Sequence, residues 1–168
     1  MKGLNTKHSR KSAKYVAIIQ SAWLGILFFI SVVIGFSEDA KNSAPSREDI
    51  TEYARSFLSL GKEGLQKLNL DCSGFTRVVY KHFCIDLPPS SADQYKRTTP
   101  VDRDEIQPGD LLFFNTNGKG ISHVAICLDS NMFIHSPGKG KKICIDSLEQ
   151  TYWDKRFICG GIVIFENN

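Results

Sequence analysis

No two cysteines or histidines stand at a compact metal-ligand spacing. Neither Cys-x-x-Cys nor His-Glu-x-x-His occurs, so a fold built around a bound metal is not the starting point. The Gly/Lys loop from Ser136 to Lys142 lacks the spacing of a phosphate-binding loop, since no Gly-Lys-Ser/Thr follows a four-residue gap. It reads as a solvated turn. There is no internal repeat and no low-complexity tract. Acidic residues are missing altogether from residues 1–37, which hold five of the chain's 21 Lys+Arg and so carry +5. The other 131 residues carry 16 basic and 18 acidic side chains, a balance of −2. The overall net charge of +3 therefore belongs to the leader, and the remainder offers no basic stripe for nucleic acid.

What is present fits one globular domain with an appendage. The chain has 168 residues, 42% hydrophobic and 23% charged, ordinary values for a folded domain. The appendage comes first. Tyr15 to Phe36 is a run of 22 almost wholly apolar residues, enough to cross a hydrocarbon layer of about 30 Å at about 1.5 Å per residue. Basic residues precede it, and Glu38 and Asp39 follow it, which predicts the C-terminal part outside the cytoplasm. An uncleaved signal-anchor fits the length. A cleaved signal peptide is the alternative, with only a poor cleavage site at Gly35-Phe36-Ser37. No Cys ends the run, which argues against a lipoprotein signal. The organisation expected is therefore leader 1–37, linker 38–45 and globular domain 46–168.

Within the domain, Ser46 caps a helix whose first turn is acidic and whose apolar stripe is Ile50, Tyr53, Ala54, Phe57, Leu58 and Leu60, ending near Gly61. Lys62 to Leu70 reads as a loop. Asp71-Cys72-Ser73-Gly74-Phe75 reads as a turn entering a second helix, with Phe75, Val78, Val79, His82 and Phe83 at helical spacing. Asp86 to Pro100 is expected to be irregular because of Pro88, Pro89 and Pro100. Strands are expected at Leu111 to Phe114, Ser122 to Leu128, Met132 to His135, Ile143 to Asp146 and Ile158 to Phe165. Helices followed by a run of strands predict an α+β fold with an antiparallel sheet.

The chemistry centres on Cys72, His123 and His135. A thiol at a helix N-terminus feels the positive end of the dipole, which predicts a lowered pKa. A three-residue hairpin loop, Asp129-Ser130-Asn131 with Asn131 left-handed, sets Leu128 against Met132 and Cys127 against Phe133. His123 and His135 then share one face as diagonal neighbours, opposite a core face of Val124, Ile126, Leu128, Met132 and Ile134. If the Cys72 helix packs across the histidine face, a Cys–His–His set assembles. Cys72 would attack a carbonyl, His123 would shuttle the proton, and His135 would fix the His123 tautomer. Backbone N–H groups at the start of the helix would stabilise the oxyanion. A metal held by Asp71, Cys72, His123 and His135 is the rival, disfavoured by the spacing. His82 is expected to be structural.

Four motifs carry a family resemblance. They are Asp71-Cys72-Ser73-Gly74-Phe75, Gln107-Pro108-Gly109-Asp110-Leu111-Leu112-Phe113-Phe114, Ser122-His123-Val124-Ala125-Ile126, and Phe133-Ile134-His135-Ser136-Pro137-Gly138. In this order, and with Ser91-Ala92-Asp93-Gln94-Tyr95 before the Pro-Gly-Asp turn, they resemble the NlpC/P60 cysteine peptidases over residues 46–165. The resemblance implies a papain-like α+β fold in which N-terminal helices pack on a central antiparallel sheet. It implies cleavage of amide bonds in peptidoglycan stem peptides, typically between D-glutamate and a diamino acid. Cys72 would be the nucleophile, His123 the base and His135 the orienting residue, with Asp71 and Ser73 binding the free amino end of the substrate. No cofactor is implied. The setting implied is the outer face of the bacterial inner membrane, or the periplasm if the leader is cleaved. Where the family has a Tyr and paired glycines before the Asp-Cys turn, this chain has Leu60-Gly61-Lys62-Glu63-Gly64-Leu65. The rivals are a wall-peptide-binding module on the same fold, and an acyltransferase or amidase on a related scaffold.

Four cysteines remain besides Cys72. Cys84, Cys127, Cys144 and Cys159 allow up to two disulfides with three connectivities, or simply reduced core thiols.

Overall fold

Residues 44–60, 64 and 68–164 are described by the computed structural model. The apolar run Tyr15 to Phe36, and with it the expected signal-anchor or signal peptide, lies outside the described residues, as does most of the linker. Among the described residues no helix is long and apolar enough to cross a membrane. All elements named below belong to one unit, Pro45–Asn168.

The first helix, α1 (Arg47–Ser56), starts where the sequence says it should. The Ser46 hydroxyl accepts from the Asp49 N–H at 3.1 Å, and Asp49 accepts from the Ser46 N–H at 2.9 Å, a capping box that satisfies two end donors. Ile50 and Ala54 are buried, and Phe57 follows them in a short 3-10 turn, Phe57–Ser59. Leu58 and Leu60 are exposed instead of joining the stripe, because the 3-10 turn rotates them off the core face.

Helix α2 (Cys72–His82) is capped by Asp71, whose Oδ1 accepts from the Gly74 N–H at 2.8 Å. Its buried stripe is Phe75, Thr76, Val79 and Tyr80, so Tyr80 takes the place expected for His82. The Tyr80 hydroxyl donates to the Gly109 carbonyl. His82 is exposed and stacks on the Tyr53 ring at 3.8 Å, a structural role as expected. The helix closes through Cys84 in the left-handed region at φ 62, with the Ile85 N–H returning to the Tyr80 carbonyl at 3.1 Å.

The stretch expected to be irregular contains two ordered pieces. Ser90 caps a short helix, α3 (Ser91–Tyr95), and β1 (Thr98–Val101) follows. Pro100 is tolerated in β1 because this is an edge strand of the sheet. The other strands are β2 (Leu111–Phe114), β3 (His123–Cys127), β4 (Met132–His135), β5 (Cys144–Ser147) and β6 (Phe157–Val163), with a helical turn, α4 (Thr151–Asp154), before β6. They form one six-stranded antiparallel sheet in the order β1-β6-β2-β3-β4-β5. The α+β fold and the antiparallel sheet are those the sequence predicts.

The hairpin register is as expected, with Cys127 opposite Phe133 and Ile126 opposite Ile134. The loop reaches it differently. Among the described residues only Asn69 and Cys84 combine a side chain with positive φ, so Asn131 is not left-handed. Asp129 holds the turn instead: its Oδ1 accepts from the N–H groups of Asn131 and Met132 at 3.0 and 2.9 Å.

The sheet is covered on both faces. One face carries Leu111, Phe113, Val124, Ile126 and Ile134, and packs under Ile50, Ala54, Phe57, Phe75 and Val79 of the helical layer. The other carries Leu112, Phe114, Ala125, Cys127 and Phe133 under Leu148 and Trp153. This is why β2 is an unbroken apolar run rather than an alternating one. Gly161 in β6 is required by close approach. A Cβ there would lie 2.8 Å from both Phe113 Cε2 and Thr98 Cβ.

The Gln107-Pro108-Gly109-Asp110 turn ties the layers together. Asp110 is buried, and Arg47 donates from Nη1 to its Oδ1 and to the Pro108 carbonyl, both at 2.7 Å. The Gln107 N–H donates to Asp110 Oδ2 at 2.8 Å. Gly109 sits at φ +86, with the Arg47 backbone 3.6 Å from where a Cβ would stand.

Candidate active site

The helix carrying Cys72 packs on the face opposite the histidines, contrary to the expectation that it crosses theirs. Its apolar stripe needs Val124, Ile126 and Ile134, while the histidine face is sealed from the other side by Trp153. Cys72 is the first residue of that helix and meets the sheet at β3. The backbone N–H groups of Val124, Ser73 and Cys72 lie near enough to its sulfur to favour the thiolate. Val124 follows His123, the first residue of β3, so the thiol stands beside the start of the histidine strand. No hydrogen bond joins the Cys72 sulfur to the His123 ring, a separation common before substrate binds.

The histidines meet directly. His123 Nε2 and His135 Nδ1 are 2.9 Å apart, with their rings nearly perpendicular. His135 Nε2 is 3.0 Å from Asp146 Oδ2 on β5. The Trp153 indole N–H donates to the same Asp146 oxygen at 3.0 Å. A carboxylate can only accept, so the proton between His135 and Asp146 sits on His135 Nε2. A neutral His135 then presents a lone pair at Nδ1, and the shared proton sits on His123 Nε2. The remaining nitrogen of His123, Nδ1, is left as a lone pair. Asp146 thus propagates one tautomer through two rings and leaves His123 Nδ1 as an unprotonated base.

Burial sets the charge states. Phe114 and Trp153 flank His123 at ring distances of 6.0 and 5.3 Å, and Phe133 and Trp153 flank His135 at 5.3 and 5.0 Å. Desolvation, with a smaller contribution from His135, lowers the His123 pKa from 6.5 to about 4, against the pull of Asp146. Desolvation also lowers that of His135, opposed by its bond to Asp146. Cys72 is raised, not lowered as its helix position predicted. Loss of water around the thiol dominates, and the neighbouring Asp71 adds to it, outweighing the N–H groups of Val124, Ser73 and Cys72. The resting pair is a neutral thiol and a neutral imidazole.

The other candidate residues have partners of their own. Asp71 spends Oδ1 on the helix cap, and its second oxygen has no hydrogen bond to a described residue. Ser73 is buried, and its hydroxyl donates to the Pro89 carbonyl at 2.7 Å. The stretch that replaces the family's Tyr lies mostly outside the described residues.

Asp146 and Trp153 were not singled out by the sequence. A signal existed for Asp146: in Ile143-Cys144-Ile145-Asp146 the two polar residues alternate with the apolar ones, so both share a face beside β4. Trp153 had no comparable signal. Cys144 lies opposite His135 in the β4–β5 pairing, with its sulfur 3.4 Å from His135 Nε2. His135, Cys144 and Asp146 together could hold a metal ion, whereas the grouping of Asp71, Cys72, His123 and His135 considered above is not assembled as ligands. The described cysteines are all free thiols. Cys127 shares the His123 face, as expected, and burial pushes its pKa up to about 12.

Comparison with known proteins places this geometry. The "NlpC/P60 family" matches residues 59–161. "Probable endopeptidase NlpC" of Escherichia coli is 38% identical over 96 residues, covering 56% of this chain and 62% of that protein. "Murein DD-endopeptidase MepH" of the same organism is 34% identical over 96 residues, covering 55% of this chain and 35% of that protein. The "Gamma-D-glutamyl-L-lysine dipeptidyl-peptidase" of Bacillus cereus is 37% identical over 97 residues, 55% of this chain and 29% of that protein. The chain thus spans under two thirds of the length of these curated relatives. An NLP/P60 family protein from Staphylococcus aureus described as similar to a lipoprotein superposes with a TM-score of 0.60 at 31% identity, over 71% of this chain and 42% of that one. The NlpC/p60 domain of the peptidoglycan hydrolase SagA superposes with a TM-score of 0.56 at 27% identity, over 72% of this chain and all of that domain. The chain belongs to the NlpC/P60 family.

Proposed function

We propose that this chain is a cysteine hydrolase that cleaves amide bonds in peptidoglycan stem peptides, at the bond between D-glutamate and a diamino acid. The observation that carries the reading is the ordered relay from His123 through His135 to Asp146, which leaves a lone pair on His123 Nδ1, while the Cys72 thiol stands by the N–H of Val124, the residue after His123. The names of its relatives support the substrate class: murein endopeptidase in one case, and a peptidase of γ-D-glutamyl-lysine in another.

In the proposed reaction the Cys72 sulfur attacks the scissile carbonyl carbon as His123 Nδ1 takes the thiol proton. The imidazolium keeps its Nε2–H on His135 Nδ1, and Asp146 balances the charge through His135. Backbone N–H groups at the start of α2 receive the oxyanion. His123 then gives its proton to the leaving amine, and a thioester remains. Water attacks the thioester with the proton again passing to His123, which releases the acid and restores the thiol. A free carboxylate oxygen on Asp71 faces the role of binding the substrate amine. The segment 15–36 would deliver the domain to the outer face of the inner membrane, as an anchor or as a signal removed on export.

The test uses the chain and its Cys72→Ala variant with purified peptidoglycan and stem tetrapeptides, with products identified by mass spectrometry. Release of a fragment with a new D-glutamate carboxyl by the wild type alone supports the proposal. Binding without cleavage by both proteins overturns it in favour of a wall-peptide-binding module.

A further inference from the structure

We propose that His135, Cys144 and Asp146 form a binding site for a thiophilic divalent ion such as zinc, and that its occupancy switches the histidine relay off. The ligand site stands whether or not the chain is a hydrolase. Its regulatory consequence rests on the function proposed above.

The strand register builds the site. Cys144 and Asp146 are alternate residues of β5 and share a face, and Cys144 pairs with His135 of β4. The three ligand atoms all lie within 4.8 Å of one another. Cys144 Sγ is 3.4 Å from His135 Nε2, and that nitrogen is 3.0 Å from Asp146 Oδ2. A tetrahedral zinc ion with bonds of about 2.0–2.3 Å holds its ligands roughly 3.3–3.6 Å apart, so two of the three edges need only small adjustments. One thiolate, one imidazole and one carboxylate suit zinc better than magnesium or calcium. Cys144 and Asp146 are only half-buried, which leaves a fourth position for water or a substrate oxygen. The outer partners are in place as well. The Trp153 N–H holds the Asp146 carboxylate, and His123 holds the far nitrogen of His135. Cys144 has no part in the proposed hydrolysis, so its thiol is otherwise unexplained.

Binding and catalysis compete for one nitrogen. In the relay His135 Nε2 carries a proton and donates it to Asp146. An ion on Nε2 needs the lone pair there, so the His135 proton must sit on Nδ1. His135 then donates to His123 Nε2, and the single proton of His123 moves to Nδ1. The proton count balances: each imidazole keeps one proton, and the Cys144 thiol releases one to solvent. His123 Nδ1 is now protonated and cannot accept from Cys72. An imidazolium at His123 would set its Nε2–H against the Nδ1–H of His135, so the catalytic charge state is closed as well.

The decisive experiment is a cobalt(II) titration of the full chain carrying Cys72→Ala, under reducing, oxygen-free conditions. The expected result is a near-ultraviolet thiolate-to-cobalt charge-transfer band that saturates at one equivalent, is displaced by zinc, and is lost when Cys144→Ala or Cys144→Ser is added. The serine variant keeps the side-chain volume and guards against misfolding of the alanine variant. Absence of the band, or its persistence in both Cys144 variants, overturns the site. Hydrolysis gives the second readout. Cys144→Ser should keep basal activity while zinc inhibition weakens by more than the roughly 10–100-fold that loss of an outer partner alone would cause, with a chelator restoring the wild type. Equal inhibition of the two proteins shows that the inhibiting ion does not bind through Cys144 and overturns the switch. Failure of every form to hydrolyse peptidoglycan would sink the proposed function, while the cobalt band would still decide the site.

Discussion

His135 Nε2 and Asp146 Oδ2 stand 3.0 Å apart, and this one bond fixes the protonation of a ring that Asp146 never touches. Only with the proton on His135 Nε2 does His135 Nδ1 accept from His123, and only then is His123 Nδ1 free to act as a base. Asp146 is therefore a positioning residue. Asp146→Asn offers both an oxygen and an amide N–H to His135, so both tautomer chains become populated. The expected outcome is a fall in kcat of up to about 10⁴ with KM little changed, the scale of loss when a histidine is held in the wrong tautomer. Because Asp146 supports the charged forms of both histidines, its loss should also move the acid limb of the pH profile downward. A KM increase at constant kcat would place Asp146 in substrate binding instead.

The pH dependence follows from burial. His123 titrates at about 4 in the fold and at 6.5 when unfolded. Between these values the unfolded chain takes up a proton that the folded chain refuses, so this stability is fully present above 6.5 and is lost as pH falls toward 4. The slope is about 1.4 kcal/mol per pH unit for each such histidine. Urea melts at pH 7 and pH 5 should differ accordingly, and His123→Gln should flatten the difference. The same burial puts the acid limb of kcat/KM well below 6.5. It also denies Cys72 a resting thiolate: iodoacetamide labelling of the Cys72 peptide should climb through alkaline pH, with no plateau in acid. A labelling rate already maximal at pH 5 would show a preformed thiolate–imidazolium pair.

The legible and illegible parts divide along a physical line. Local signals were sufficient for the Ser46 cap, for the Cys127–Phe133 register and for the shared face of His123 and His135, because each depends on residues close in sequence. Strand β1 was hidden by Pro100, whose cost vanishes only when the strand lies at an edge, a fact of sheet order and not of sequence. The side from which α2 approaches was misjudged because both faces of the sheet are apolar around the histidines. What decides it is Trp153, which arrives from a helical turn after β5 and seals the other face. Asp146 was missed for the same reason: its meaning depends on β5 pairing with β4.

Arg47 is expected to matter for stability more than its half-exposed position suggests. It is the side-chain cation on the buried Asp110 carboxylate, and it also donates to the Pro108 carbonyl. Arg47→Met would keep much of the aliphatic packing and leave Asp110 Oδ1 without its charged donor. Hydrogen bonds to charged groups contribute about 1.5–3 kcal/mol, and loss of this order is expected in chemical denaturation. A drop under about 0.5 kcal/mol would mean that solvent replaces the guanidinium.

Cys84 offers the opposite change. It stops α2 at φ 62, a conformation that strains a residue with a Cβ, and its side chain is exposed. The closing bond from the Ile85 N–H to the Tyr80 carbonyl needs that backbone geometry whatever the side chain. Glycine reaches the left-handed region without the Cβ clash that costs an L-residue about 1–2 kcal/mol. Glycine also gains freedom in the unfolded chain, which offsets part of this, so Cys84→Gly should stabilise the fold by about 0.5–1 kcal/mol. Hydrolysis should be unaltered, since α2 enters the site by its other end. An unchanged or lowered denaturation midpoint would show that the cysteine side chain makes a compensating contribution on the surface.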